Sequence, residues 1–178
     1  GARFGPSHVR ESSRLLRPFN PAGSKSPFAS QQVADAGDIA ANPFHIEEAI
    51  SQIERGSRAL HERAKRLITI GGDHTITWPS ATAVAEKYGF GKVGMVHFDA
   101  HADTADTIDG NLASHGTPMR RLIESGAISP HNFVQVGLRG YWPGQDVWDW
   151  MAAQGMKWHM MDEVHHRGLD AVMTDAIA

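Results

Sequence analysis

The sequence predicts an α/β domain in which helices cover both faces of a parallel sheet. Short strand-like segments recur along the chain at Leu67–Ile70, Val93–Phe98, Phe133–Val136 and Lys157–Met160. Segments of helical periodicity stand between them. The chemistry-bearing polar residues gather directly after the first two runs, at the carboxyl edge where such sheets collect their ligands. With 178 residues the chain is long enough for one domain with a substantial core, and residues 1–178 are read as that single domain.

Taken in order, Gly5-Pro6-Ser7 opens a helix through Leu16, with proline suited to the first turn. Pro18 and the Pro-, Gly- and Ser-rich segment from Asn20 to Ser30 read as loop. Asn42-Pro43 caps a long helix that carries Phe44, Ala49, Ile50, Ile53 and Leu60 on one face. Leu67-Ile68-Thr69-Ile70 is a short buried strand closed by Gly71-Gly72. A helix over Trp78–Lys87 leads to the strand Val93–Phe98, and a helix over Pro118–Glu124 leads to the strand Phe133–Val136. Gln145–Gln154 is helical, Lys157–Met160 is the fourth strand, and a last helix starts at Leu169. Trp142, Trp148, Trp150 and Trp158 are expected to pack a helix on the sheet. The chain starts without methionine and ends inside a helix with no capping glycine, so the domain is expected to be incomplete at both ends.

Composition narrows the function classes. Apolar residues make up 41% and charged residues 21%, as in ordinary soluble proteins. No run approaches the roughly 18 apolar residues of a membrane span. A net charge of -3 leaves no basic footprint for nucleic acid or anionic lipid. The absence of cysteine excludes disulfides and thiolate metal sites, and a cytoplasmic location is the default. Eleven histidines are many for this length, and several stand beside carboxylates.

Asp99, His101 and Asp103 alternate at every second position, which on extended backbone places them on one face. Ala100 and Ala102 between them are small enough for the packed side. Converging carboxylates repel one another in a buried setting, and a divalent cation removes the conflict. Oxygen and imidazole donors without sulfur suit Mn, Fe, Ni or Zn better than Ca or Mg. A cluster this rich in carboxylates also favours two ions. His74, after the Gly71-Gly72 turn, is a further candidate ligand, with Asp73 as the partner that orients its ring. Alone, Gly-Gly-Asp-His reads as a polar turn, and Asp-Ala-His-Ala-Asp reads equally well as a solvated loop. Their placement after successive strands is what favours a site. His97 shares a strand face with Asp99 and is expected to be a core residue or a support to the ligands, with lining the site as the alternative. His8, His45 and His61 are assigned to helix surfaces, His131 to a turn, and His165-His166 to a surface pair. Tyr141-Trp142 is read as packing, with a substrate wall as the alternative.

Gly71-Gly72-Asp73-His74-Thr75 and Phe98-Asp99-Ala100-His101-Ala102-Asp103-Thr104 resemble two signature motifs of the ureohydrolase family of arginases, agmatinases, guanidinobutyrases and formiminoglutamases. Val33 to Ile39, His115-Gly116-Thr117-Pro118-Met119-Arg120-Arg121 and Gly137-Leu138-Arg139-Gly140 resemble agmatinase-type segments, so the likeness runs through nearly the whole chain. The resemblance implies a three-layer αβα fold of the arginase/deacetylase type. It also implies a centre of two Mn2+ ions whose bridging hydroxide attacks a guanidinium carbon. On that likeness His74, Asp99, His101 and Asp103 are metal ligands, and Asp103 and His115 serve catalysis. Asn111, Ser114 and His115 touch the substrate. Imidazole titrates near neutral pH, which suits a proton donor to the leaving amine. The implied reaction is hydrolysis of agmatine to putrescine and urea, in a homotrimer or homohexamer. A guanidino acid such as 4-guanidinobutanoate is the alternative substrate, and Arg121 or Arg139 could then meet its carboxylate.

The family's third signature, an Asp-x-Asp pair, has no counterpart. Asp146 and Asp149, like Asp170 and Asp175, have the wrong spacing and helical settings. With four ligands instead of six, this segment by itself is expected to bind metal weakly and turn over little. A non-catalytic family member is therefore the competing reading from another class. A single-zinc deacetylase fits the two motifs less well.

Overall fold

A computed structural model describes residues 2–178. Three parallel strands, β1 (Val93–Phe98), β2 (Ile128–Leu138) and β3 (Lys157–Met160), lie side by side in that order. Eight α-helices accompany them among the described residues: α1 (Gly5–Ser13), α2 (Pro27–Ser30), α3 (Ile46–His61), α4 (Thr77–Tyr88), α5 (Pro118–Glu124), α6 (Gln145–Ala153), α7 (Met161–Arg167) and α8 (Leu169–Ala176). Helices α5 and α6 are the crossovers that parallel pairing requires.

Alternation along β2 separates the two faces of the sheet. Phe133 points into the larger core, with Met119, Leu122, Ile123, Ile128, Val147 and Met151. Val134 and Val136 point the other way, onto Val172 and its neighbours Val164 and Met173 in α7 and α8. Helices therefore lie on both faces, giving the three layers expected. Trp148, Trp150 and Trp158 pack on the larger core, Trp148 and Trp158 with ring centroids 5.5 Å apart. Trp142 departs from the expectation: it is 54% exposed and lies beyond the end of β2.

Several elements differ from the sequence reading. Leu67–Ile70 is not a strand, and Ile68 is 86% exposed. An apolar run becomes a strand only when a neighbour supplies ladder hydrogen bonds, and none is paired with it among the described residues. Strand β2 begins five residues earlier than expected, so His131 lies in a strand and not a turn. Helix α3 starts at Ile46, because the Asn42 side chain accepts from the Phe44 N–H at 3.0 Å instead of capping the helix. Phe44 is left exposed. His61 is buried on the side of α3 that packs against α4, and not on the surface. Helix α7 follows β3 without the intervening loop that would have announced it. Among the described residues no helix is long and apolar enough to cross a membrane.

Candidate metal centre

The first wall of the site is built by the turn before α4. At Gly71 a Cβ would stand 1.7 Å from Ile76 Cδ1, so any larger residue there requires the Ile76 side chain to turn away. Asp73 then accepts the Thr75 N–H at 2.9 Å and caps a short 3-10 turn, His74–Ile76. That local bond occupies Asp73, which does not orient the His74 ring as the sequence suggested. The ring turns to Asp103 instead, with Nδ1 hydrogen-bonded to Oδ2. His74 Nδ1 is also 3.4 Å from Asp99 Oδ2.

The second wall lies beyond β1. Asp99 accepts the His101 N–H at 2.8 Å, a side chain-to-backbone bond that bends the chain out of extended geometry. The face-sharing expected for Asp99, His101 and Asp103 is therefore lost. The His101 side chain is 60% exposed, and its Nδ1 is 3.7 Å from Asp99 Oδ1. Asp103 has a φ of 52°, a left-handed conformation uncommon away from glycine, and its side chain is only 8% exposed. That backbone brings its carboxylate under His74. From the strand itself, His97 places Nε2 3.3 Å from Asp99 Oδ2.

His74, His97, Asp99 and Asp103 each present a ligand atom within 4.8 Å of every other. The hydrogen bond to Asp103 raises the His74 pKa; burial opposes it, and the charges of Asp103 and Asp99 add to the rise. Burial lowers that of His97, as does the neighbouring His74, against the pull of Asp99 and Asp103. Burial pushes Asp99 upward, but the His101 N–H and the three surrounding imidazoles outweigh it, and the net shift is downward. Two carboxylates and an imidazole nitrogen aimed at one spot are a donor set that fits a divalent cation of the Mn, Fe, Ni or Zn kind.

These groups open on a cleft of about 540 Å³ lined by Thr69, Asp73, Thr77, His101 and His115 in addition to His74, Asp99 and Asp103. His115 reaches it from the loop before α5, its Nδ1 3.4 Å from Ser114 Oγ. Ser114 and Asn111 do not line it. The Asn111 amide donates at 3.3 Å to the carbonyls of Ile108 and Asp109 in its own turn. Tyr141 is fully exposed and, like Trp142, stands outside the cleft; it packs on nothing. Arg121 is buried against Asp106 and Glu124, and Arg139 donates to the Gly137 carbonyl, so neither faces the cleft. Asp146 and Asp149 are in α6, Asp170 and Asp175 in α8, all away from it. His97 is buried beside Asp99, as their shared strand face suggests, whereas nothing in the sequence marks Gln135.

The chain is similar in sequence and fold to known proteins. A sequence profile of the Arginase family matches residues 1–178, and the chain belongs to that family. It is 39% identical over 175 residues to a guanidinobutyrase of Pseudomonas aeruginosa, covering 98% of this chain and 54% of that protein. To the mitochondrial agmatinase of Gallus gallus it is 41% identical over 140 residues, covering 79% and 41%. A Trypanosoma cruzi formiminoglutamase with Mn2+ superposes with a TM-score of 0.87 at 26% identity, covering 99% of this chain and 58% of that one. The chain thus spans about half the length of the relatives it matches.

Proposed function

We propose that this chain contributes the cleft of an agmatinase-type ureohydrolase, which hydrolyses the guanidinium group of agmatine to urea and putrescine. The reading is carried by the convergence of His74 Nδ1 on the carboxylates of Asp99 and Asp103. Two Mn2+ ions are its cofactor, with His74, Asp99, His101 and Asp103 as the ligands this chain offers. A cation bound there would lower the pKa of coordinated water enough to supply a nucleophile near neutral pH. The remaining roles fall to the chain. Asp99 and Asp103 form an anionic floor that draws in a guanidinium. His115, at the rim, holds a proton within reach of the departing amine. Asp103 serves catalysis from the floor, its left-handed backbone keeping the carboxylate against His74.

Asp73, Asp99 and Asp103 among the described residues lining the cleft give it an anionic character that suits a cationic substrate. A second reading, a guanidino acid such as 4-guanidinobutanoate, draws on the match to guanidinobutyrase over 98% of the chain. Urea release from agmatine, 4-guanidinobutanoate and arginine, measured with metal content, separates the readings. Agmatine is expected to give the highest kcat/KM. Preference for the guanidino acid moves the assignment to the second reading, and preference for arginine removes both. Urea release that survives Asp99→Asn unchanged overturns the metal mechanism.

A further inference from the structure

We infer that His97 is a positioning residue and not a metal ligand: the Gln135 side chain fixes its proton on Nε2, and that N–H sets a positive edge close to the Asp99 carboxylate. The inference rests on the metal centre proposed above. It settles which of the four gathered residues hold the cation and which serve a ligand.

Gln135 is fully buried on β2, directly opposite His97 in the parallel register. Its side-chain nitrogen lies 2.6 Å from the carbonyl oxygen of Ala102 and 2.8 Å from His97 Nδ1. A carbonyl oxygen can only accept, so the amide nitrogen, and not its oxygen, must face Ala102. Turning the amide over would set two oxygens against each other at that separation. The amide keeps this orientation although its own oxygen is buried without a partner. The second amide hydrogen then points at His97 Nδ1, which must accept it and so carries no proton. A neutral imidazole with a bare Nδ1 holds its hydrogen on Nε2. That nitrogen has no free lone pair for a cation. It stands 3.3 Å from Asp99 Oδ2 without hydrogen-bond geometry and is otherwise buried without a partner, so its hold on the carboxylate is electrostatic.

His74 is arranged the other way. Its Nδ1 is the atom turned toward both carboxylates, at 3.4 Å from Asp99 Oδ2, and its ring centroid is 5.1 Å from that of His97. The Ala102 carbonyl belongs to the turn that carries His101 and Asp103. Gln135 therefore ties three things together: the strand, the His97 ring and the loop bearing the ligands. Partners of this kind orient ligating groups and are worth about 10–100-fold in metal affinity.

The test reads the tautomer directly. In the 178-residue chain with 15N-labelled histidines, long-range 1H–15N correlation spectra are expected to show His97 protonated at Nε2 and bare at Nδ1. Saturation with Zn2+, a diamagnetic ion that takes the same donors, is expected to shift His74 and leave the His97 pattern in place. A proton on Nδ1, or loss of the Nε2 proton with a metal-induced shift, overturns the inference while leaving the metal centre standing. Weak uptake is expected of four ligands, so the metal centre is defeated only if a large excess of Zn2+ shifts neither His74 nor His101, and the two failures look different. As a second arm, His97→Leu should weaken Mn2+ binding about 10–100-fold. His97→Gln, whose amide N–H reaches the place of Nε2, should recover most of that loss. Equal losses in the two variants would count against the donor role.

Discussion

Replacing Gly137 with alanine probes how the sheet holds the metal centre. Gly137 has a φ of 100° and sits where the pairing of β2 with β3 slips between Val136 and Leu138. An added Cβ would lie 3.3 Å from the carbonyl oxygen of Asp99 and 3.9 Å from the Met161 sulfur. The first separation is tighter than ordinary contact, and the neighbour is backbone, which yields only by moving. Asp99 is itself anchored there, its N–H donating to the Val136 carbonyl at 3.3 Å. A side chain forced into the left-handed region costs about 1–3 kcal/mol. Folded domains have about 5–15 kcal/mol in hand, so the variant should still fold. At this chain length each kcal/mol lowers Tm by about 2–4 °C, which gives an expected drop of about 2–12 °C. Displacing Asp99 should also weaken Mn2+ binding by about 10-fold, the lower end for loss of a ligand's support. Circular dichroism melting and titration calorimetry with Mn2+ measure the two effects. Unchanged melting refutes the strain argument. Lowered melting with unchanged affinity refutes the link to Asp99.

Asp99→Asn keeps the shape and removes the charge facing three imidazoles; it should weaken Mn2+ binding by about 3 kcal/mol or more, roughly 100-fold, in the same calorimetric titration. His115→Ala should lower the rate of urea release about 100- to 10,000-fold at unchanged metal content. Asn111→Ala should leave KM unaltered, since that amide is held by its own turn. Leu122→Ala, at a position 1% exposed in the larger core, should cost about 2–5 kcal/mol by denaturant melting. His61 should make stability pH-dependent: burial first, then the charge of Lys87, lower its pKa from 6.5, against the opposing charge of Glu62. The unfolded chain takes up that proton first, so the contribution is full above the unfolded pKa and falls away as pH drops through it toward the folded value. His61→Asn should flatten that slope between about pH 7.5 and 5.5, and an unchanged slope would assign it elsewhere.

What could be read from the sequence follows from how local each cause is. β1, α5 and β3 have the expected ends because apolar runs bounded by glycine, proline or polar residues need no distant partner to be recognised. Leu67–Ile70 carries the same signal, but pairing is a property of two segments, and one segment shows only half of it. His74, Asp99 and Asp103 stood out because charged metal-type donors after apolar runs have few structural uses. For His97 the strand face was legible but the orientation of the ring was not, because that is decided by Gln135, 38 residues further on, and by the Ala102 carbonyl.

His101 shows how a local rule can mislead and still bear on function. Alternation holds only while the strand lasts, and β1 ends at Phe98. One residue later Asp99 Oδ1 takes the His101 N–H at 2.8 Å and turns the chain, carrying the His101 ring outward. The same bond leaves Asp99 Oδ2 free to face His74 Nδ1 at 3.4 Å and His97 Nε2 at 3.3 Å. The turn that breaks the alternation is therefore what aims the carboxylate. A strand continued through His101 would have kept the spacing but lost the bond that divides the work between the two oxygens of Asp99.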